Sequence, residues 1–106
     1  METKDVDFLT KIKETVLNVD PNAEVWLYGS RARGDFREDS DWDILVLAPK
    51  DHVTNAEEGV FIDRISDLIV ETGQVIQLFA YGSADWHKRH SVTPFYKNVQ
   101  QDAIRL

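Results

Sequence analysis

No cysteine occurs among the 106 residues, so the fold is held without disulfides and no thiolate can ligate a metal. No stretch reaches the roughly 18 consecutive apolar residues that a membrane span requires. The N-terminal run METKDVDFLTKIKE is charged and mixed, without the apolar centre of a signal peptide. Together these absences read as a cytoplasmic protein with no membrane partner. Repeats, low-complexity segments and internal linkers are missing too, so residues 1–106 read as a single small domain. Its 42% hydrophobic content is enough for one core. Positive charge is also scarce, with 12 Lys and Arg against 19 Asp and Glu and a net charge of −7. Nucleic-acid backbones are held mainly by Lys and Arg neutralising phosphates, which argues against general DNA or RNA binding. A local pocket can still oppose the global charge and take a phosphate-bearing small molecule.

Apolar periodicity supplies the elements. Val6, Leu9, Ile12, Val16 and Leu17 recur at helical spacing and predict a helix over about residues 4–18, stopped at Asp20-Pro21-Asn22. Residues 24–28 form a short apolar strand ended by Gly29, and residues 42–48 a second one closed by Pro49. Val60, Ile62, Ile65, Leu68, Ile69 and Thr72 predict a long helix over about 53–72, with Gly73 after it. Residues 74–81 form a third strand, and Ser83 caps a short helix over 84–89. Thr93-Pro94 is an N-cap with proline in the first turn, opening a last helix that carries Phe95, Tyr96, Val99, Ala103 and Ile104. The order implies an α/β fold of the α+β type, a small mixed sheet with helices packed on it. Trp26, Phe61, Phe79 and Phe95 are assigned to the core, and Trp86 and Tyr96 are candidates for a partner surface. His87 and His90 read as surface residues, and Asp63, Asp67 and Glu71 as the solvated face of the long helix.

The chemistry concentrates in YGSRARGDFREDSDWDILVL, residues 28–47. Gly29 and Gly34 stand in a phosphate-loop frame, but Asp35 follows where a lysine must reach the phosphates. Asp39, Asp41 and Asp43 open like a calcium loop, but Ile44 takes the glycine position and Lys50 that of the bidentate glutamate. A third arrangement fits better. Residues two apart on a strand face the same way, so Asp41 and Asp43 project side by side, roughly 6.5 Å apart along the backbone. Such a pair suits Mg²⁺, a hard cation that takes oxygen ligands. Gly29 allows close approach of backbone to a ligand, and Ser30 adds a hydroxyl and an N–H at a helix start. Taken singly, Gly-Ser is usually a turn and Asp-x-Asp is usually solvated acid flanking a loop, with Arg31 and Arg33 paired to Asp35, Glu38 or Asp39. Their conjunction at two strand ends points to one site for metal and phosphates.

Gly29-Ser30, ten residues, then Asp41-x-Asp43 resembles the signature of the DNA polymerase beta-like nucleotidyltransferase superfamily. The short chain and the form GSRARG…SDWDILV are similar to its minimal nucleotidyltransferases (MNT domains), and the Thr93–Val99 segment extends a looser likeness. The resemblance implies the nucleotidyltransferase fold and transfer of a nucleoside monophosphate, AMP from ATP, to a hydroxyl acceptor. By the same resemblance Gly29 and Ser30 hold the triphosphate, Arg31 and Arg33 touch its phosphates, and Asp41 and Asp43 are the catalytic ligands of Mg²⁺. It also implies an antitoxin paired with a HEPN-domain ribonuclease, with a tyrosine of that toxin as acceptor; homo-oligomerisation is left open. A non-catalytic antitoxin and a small-molecule nucleotidyltransferase are the alternatives. One departure stands out. The superfamily has a third carboxylate on a later strand, whereas residues 74–81 contain no Asp or Glu, and Gln77 is the nearest polar stand-in.

Overall fold

The computed structural model describes residues 2–106. The first helix, α1 (Thr3–Val19), buries Leu9, Ile12 and Val16 on one stripe. Strand β1 (Glu24–Tyr28) leads through Gly29 into the single-turn helix α2 (Ser30–Arg33), and Gly34 ends that turn in the left-handed region at φ 84°. Strand β2 (Trp42–Ala48) follows, then the long helix α3 (Asn55–Thr72). Thr54 caps α3: its hydroxyl accepts from the Glu57 N–H while the Glu57 carboxylate accepts from the Thr54 N–H. Gly73 closes α3 at φ 73°. Strand β3 (Ile76–Gly82), short helix α4 (Ser83–Lys88), α5 (Pro94–Asp102) and β4 (Ile104–Arg105) complete the chain.

The four strands form one mixed sheet in the order β3-β2-β1-β4. β1 runs antiparallel to both neighbours, while β2 and β3 are parallel, joined by the α3 crossover. Alternation along the strands sorts residues onto two faces. On one face Val25, Leu27, Trp42, Ile44, Val46, Ile76 and Leu78 meet α1 and α3, whose Ile12, Val16, Phe61 and Ile65 fill the main core. On the other, Leu45 and Leu47 pack under Trp86 of α4 and Val99 of α5. That second layer stops short of the β2 entrance, and the site opens there.

Four expectations are corrected. The last helix does not carry Ala103 and Ile104: it ends at Asp102, and Ile104 becomes a strand residue opposite Leu27. The unpaired outer edge of β1 supplies the partner, through bonds such as Leu106 N–H to the Val25 carbonyl. The cap of α4 is Gly82 rather than Ser83, with no side-chain capping bond. Trp86 offers no surface to a partner, because it is fully buried among Tyr81, Phe95 and Tyr96. Phe79, by contrast, is not core but 41% exposed, since it sits on edge strand β3, where Phe95 of α5 meets its ring without covering it. No helix of the described residues is long and apolar enough to cross a membrane.

Candidate active site

The carboxylates sit where three strands end in one row. Tyr28 on β1 pairs with Asp43 on β2, which pairs in turn with Gln77 on β3. The three therefore share a face, and Asp41, two residues before Asp43, shares it too. Asp41 is fixed by the Gln77 amide, whose Nε2 donates to Oδ2 at 2.8 Å. Trp42, between the aspartates, turns into the main core at 2% exposure and lies edge-on to Phe8. The Trp42 N–H bonds the Val75 carbonyl, and the indole Nε1 donates to Gln74 Oε1. Burying the tryptophan thus obliges the two aspartates to face the other way.

Gly29 joins this row from the β1 side. Its φ of 76° and ψ of −158° lie in a region that is essentially glycine's alone. A Cβ built at this position would run into Oδ2 of Asp43. The strand-to-helix turn bearing Ser30 is therefore pressed directly against one of the carboxylates. Electrostatics marks the same spot. Burial, and then the charge of Asp41, push the Asp43 carboxyl above its usual range, against the opposing pull of Arg33. Burial, followed by the Asp43 charge, raises the Tyr28 phenol as well. A half-buried carboxylate held beside a second one offers an oxygen donor set that a hard divalent cation relieves. Among the described residues no third His, Asp or Glu joins them in a metal-holding group. Asp41 and Asp43 fit Mg²⁺ as a two-carboxylate site that leaves further positions for phosphate and water.

The two arginines part company. Arg33 is half-exposed on the carboxylate side, pairing with Asp35 at 3.3 Å and reaching Asp102 of α5 at 3.5 Å. Arg31 is 4% exposed and points to the Trp42 side. Its guanidinium lies 4.0 Å over the Trp42 ring and 4.8 Å over Phe36. Nε donates to the Ser40 carbonyl, and Nη2 to those of Glu38 and Ser40. It clasps the 35–41 loop that delivers Asp41, and the expected phosphate contact is not open to it in this arrangement. Sequence reasoning missed that role, as it missed Tyr28 beside Asp43 and Asp102 beside Arg33. The first two depend on which way a side chain turns, and the third on a contact 69 residues apart. Gln77 was singled out in the sequence, but only the β2–β3 register aims it at Asp41.

These features define a nucleotide-transfer fold with its signature residues at one sheet end, and the chain belongs to the nucleotidyltransferase domain family, whose profile matches residues 8–80. The match spans α1 to β3 and includes Gly29, Ser30, Asp41, Asp43 and Gln77. Among solved structures, a toxin-antitoxin crystallised with AMP-PNP is similar at TM-score 0.65 and 21% identity, over 91% of this chain and 69% of that one. A mutant of the toxin-antitoxin MntA-HpeT is similar at TM-score 0.63 and 22% identity, over 92% and 69%. At these identities the likeness establishes the fold. No curated protein matches the chain in sequence.

Proposed function

We propose that residues 1–106 act as a single minimal nucleotidyltransferase domain that moves AMP from ATP to a hydroxyl of a protein partner, in the manner of an antitoxin. The observation that carries this reading is the pressing of the Gly29–Ser30 turn against Asp43, with Asp41 beside it. Family membership and the likeness to toxin-antitoxin structures, one of them with AMP-PNP, support it. The partner is then a HEPN-type toxin, its acceptor a tyrosine, and the compartment the cytoplasm.

In this reading Gly29 and Ser30 receive the triphosphate, Arg33 leaves Asp35 to meet phosphate oxygens, and Asp41 and Asp43 hold Mg²⁺. The bound ion supplies neutralisation of charge on the phosphoryl oxygens. The acceptor oxygen bonds to the α-phosphorus as the bond to the bridging oxygen breaks. Pyrophosphate leaves with the electron pair, and the hydroxyl proton passes to water. Gln77 cannot take that proton; it orients Asp41 instead. Transfer is accordingly slow and rises with pH as the acceptor ionises. The same amide favours one second reading, a nucleotide-binding antitoxin that masks its partner without transfer. Incubation of the purified partner with α-labelled ATP and Mg²⁺ separates the two. Label on the partner supports transfer, and nucleotide binding without label supports masking.

A further inference from the structure

The leaving group fixes the side from which an acceptor must come. Displacement at phosphorus runs in line, with attacking and leaving oxygens on opposite sides. This step rests on the proposed assignment of the triphosphate to Gly29–Ser30, beside β1. With Asp43 on β2 in the middle, the acceptor enters over β3.

Two side chains of β3 face that approach. Gln77 has committed Nε2 to Asp41, which leaves Oε1 to accept from an incoming O–H. Phe79, two residues on and therefore on the same face, is 41% exposed. Its ring is not loose: it meets Phe95 edge-on at 5.9 Å, and Phe95 meets Tyr28 edge-on at 5.5 Å. The three rings form an arc from the acceptor side of the site back to the phenol beside Asp43. β3 is also an outer strand: Leu45 of β2 lies beside Phe79 on one side, and among the described residues no strand flanks it on the other. On that outer edge the Ala80 N–H is already taken, because Glu58 Oε2 accepts from it at 2.8 Å.

We infer that Phe79 is the residue that selects the acceptor: its exposed ring stacks on an acceptor that carries its hydroxyl on an aromatic ring, while Gln77 Oε1 orients that O–H. An aliphatic hydroxyl gains nothing from the ring, so serine and threonine acceptors are disfavoured. Phe79 holds no part of the nucleotide, and its loss leaves ATP binding intact.

The test uses N-acetyl-tyrosinamide and N-acetyl-serinamide as probes, with α-labelled ATP and Mg²⁺. The proteins are the wild type, Phe79→Ala, Phe79→Leu and Phe79→Trp. Phe79→Leu keeps apolar packing on Phe95 without the ring, and Phe79→Trp keeps a ring. The wild type is expected to label the tyrosine probe at least about tenfold faster than the serine probe. Phe79→Ala and Phe79→Leu raise the KM for the tyrosine probe about fivefold, the size of one aromatic pair, and Phe79→Trp does not. ATP affinity by calorimetry stays within about twofold throughout. An unchanged KM in Phe79→Ala, or equal use of both probes, overturns the inference. Label on neither probe while MgATP binds, or failure of the wild type to bind MgATP, would instead defeat the transfer reading beneath it.

Discussion

Substituting Gly29 by alanine separates backbone strain from damage to the site. The φ of 76° with ψ −158° costs a residue with a Cβ about 1–3 kcal/mol. The new methyl also collides with the Asp43 carboxylate, which must move. Gly34 offers the control: its φ is 84°, yet nothing lies within 4 Å of an added Cβ. Gly34→Ala should therefore lose about 1–2 kcal/mol by denaturant titration and keep MgATP affinity. Gly29→Ala should lose at least as much stability and, by displacing a ligand carboxylate, weaken MgATP binding tenfold or more. A double-mutant cycle with Asp43→Ala isolates the collision. With the carboxylate removed, the stability cost of Gly29→Ala should shrink to strain alone, a coupling of about 0.5–3 kcal/mol. Strict additivity, or equal MgATP affinity in Gly29→Ala and Gly34→Ala, would refute the contact on which the site is built.

Other perturbations probe the scaffold. Arg31→Ala strips the Glu38 and Ser40 carbonyls of their donor and should cost about 2–3 kcal/mol, whereas Arg33→Ala, half-exposed, should leave the melting temperature nearly unchanged. Asp43→Asn should stabilise the metal-free protein at neutral pH. Because folding raises the Asp43 pKa, its contribution is complete at acid pH below the unfolded carboxylate value. It is lost as pH rises through the folded value, so the gain in melting temperature should vanish near pH 3. Thr54→Ala should cost about 1 kcal/mol as the α3 cap is lost. Glu57 is held down to about 2, first by the Lys50 ammonium and then by the Thr54 backbone N–H. Its contribution is present above the ordinary glutamate range and fades as pH falls toward 2, so Glu57→Gln should flatten that part of the acid-stability profile.

Much of this architecture could be read from local chemistry. The apolar runs Val25–Leu27 and Ile44–Leu47 carry strand signals on their own, and Thr54 with Glu57 spells a capping box before an apolar stripe. The Gly29–Ser30 and Asp41–Asp43 pairing was legible because both halves abut strands. What could not be read depends on partners distant in sequence. β4 has two residues and exists because β1 offers an open edge, while no glycine or proline marks where α5 must stop. Phe79 and Trp86 are both large aromatics flanking Gly82, yet one is exposed and one buried. Only the position of β3 at the sheet edge, and of α4 across the sheet, distinguishes them. Arg31 and Arg33 look interchangeable in GSRARG, but a single turn of helix sends one into the Trp42 side and the other toward the carboxylates.

Calorimetric titration of ATP, with Mg²⁺ present and with it chelated, tests the central claim most directly, using the wild type, Asp41→Asn and Asp43→Asn. The account predicts Mg²⁺-dependent binding by the wild type and a loss of at least about tenfold in each variant, with helical circular dichroism unchanged. Equal affinity in all three proteins, or affinity indifferent to Mg²⁺, would contradict it.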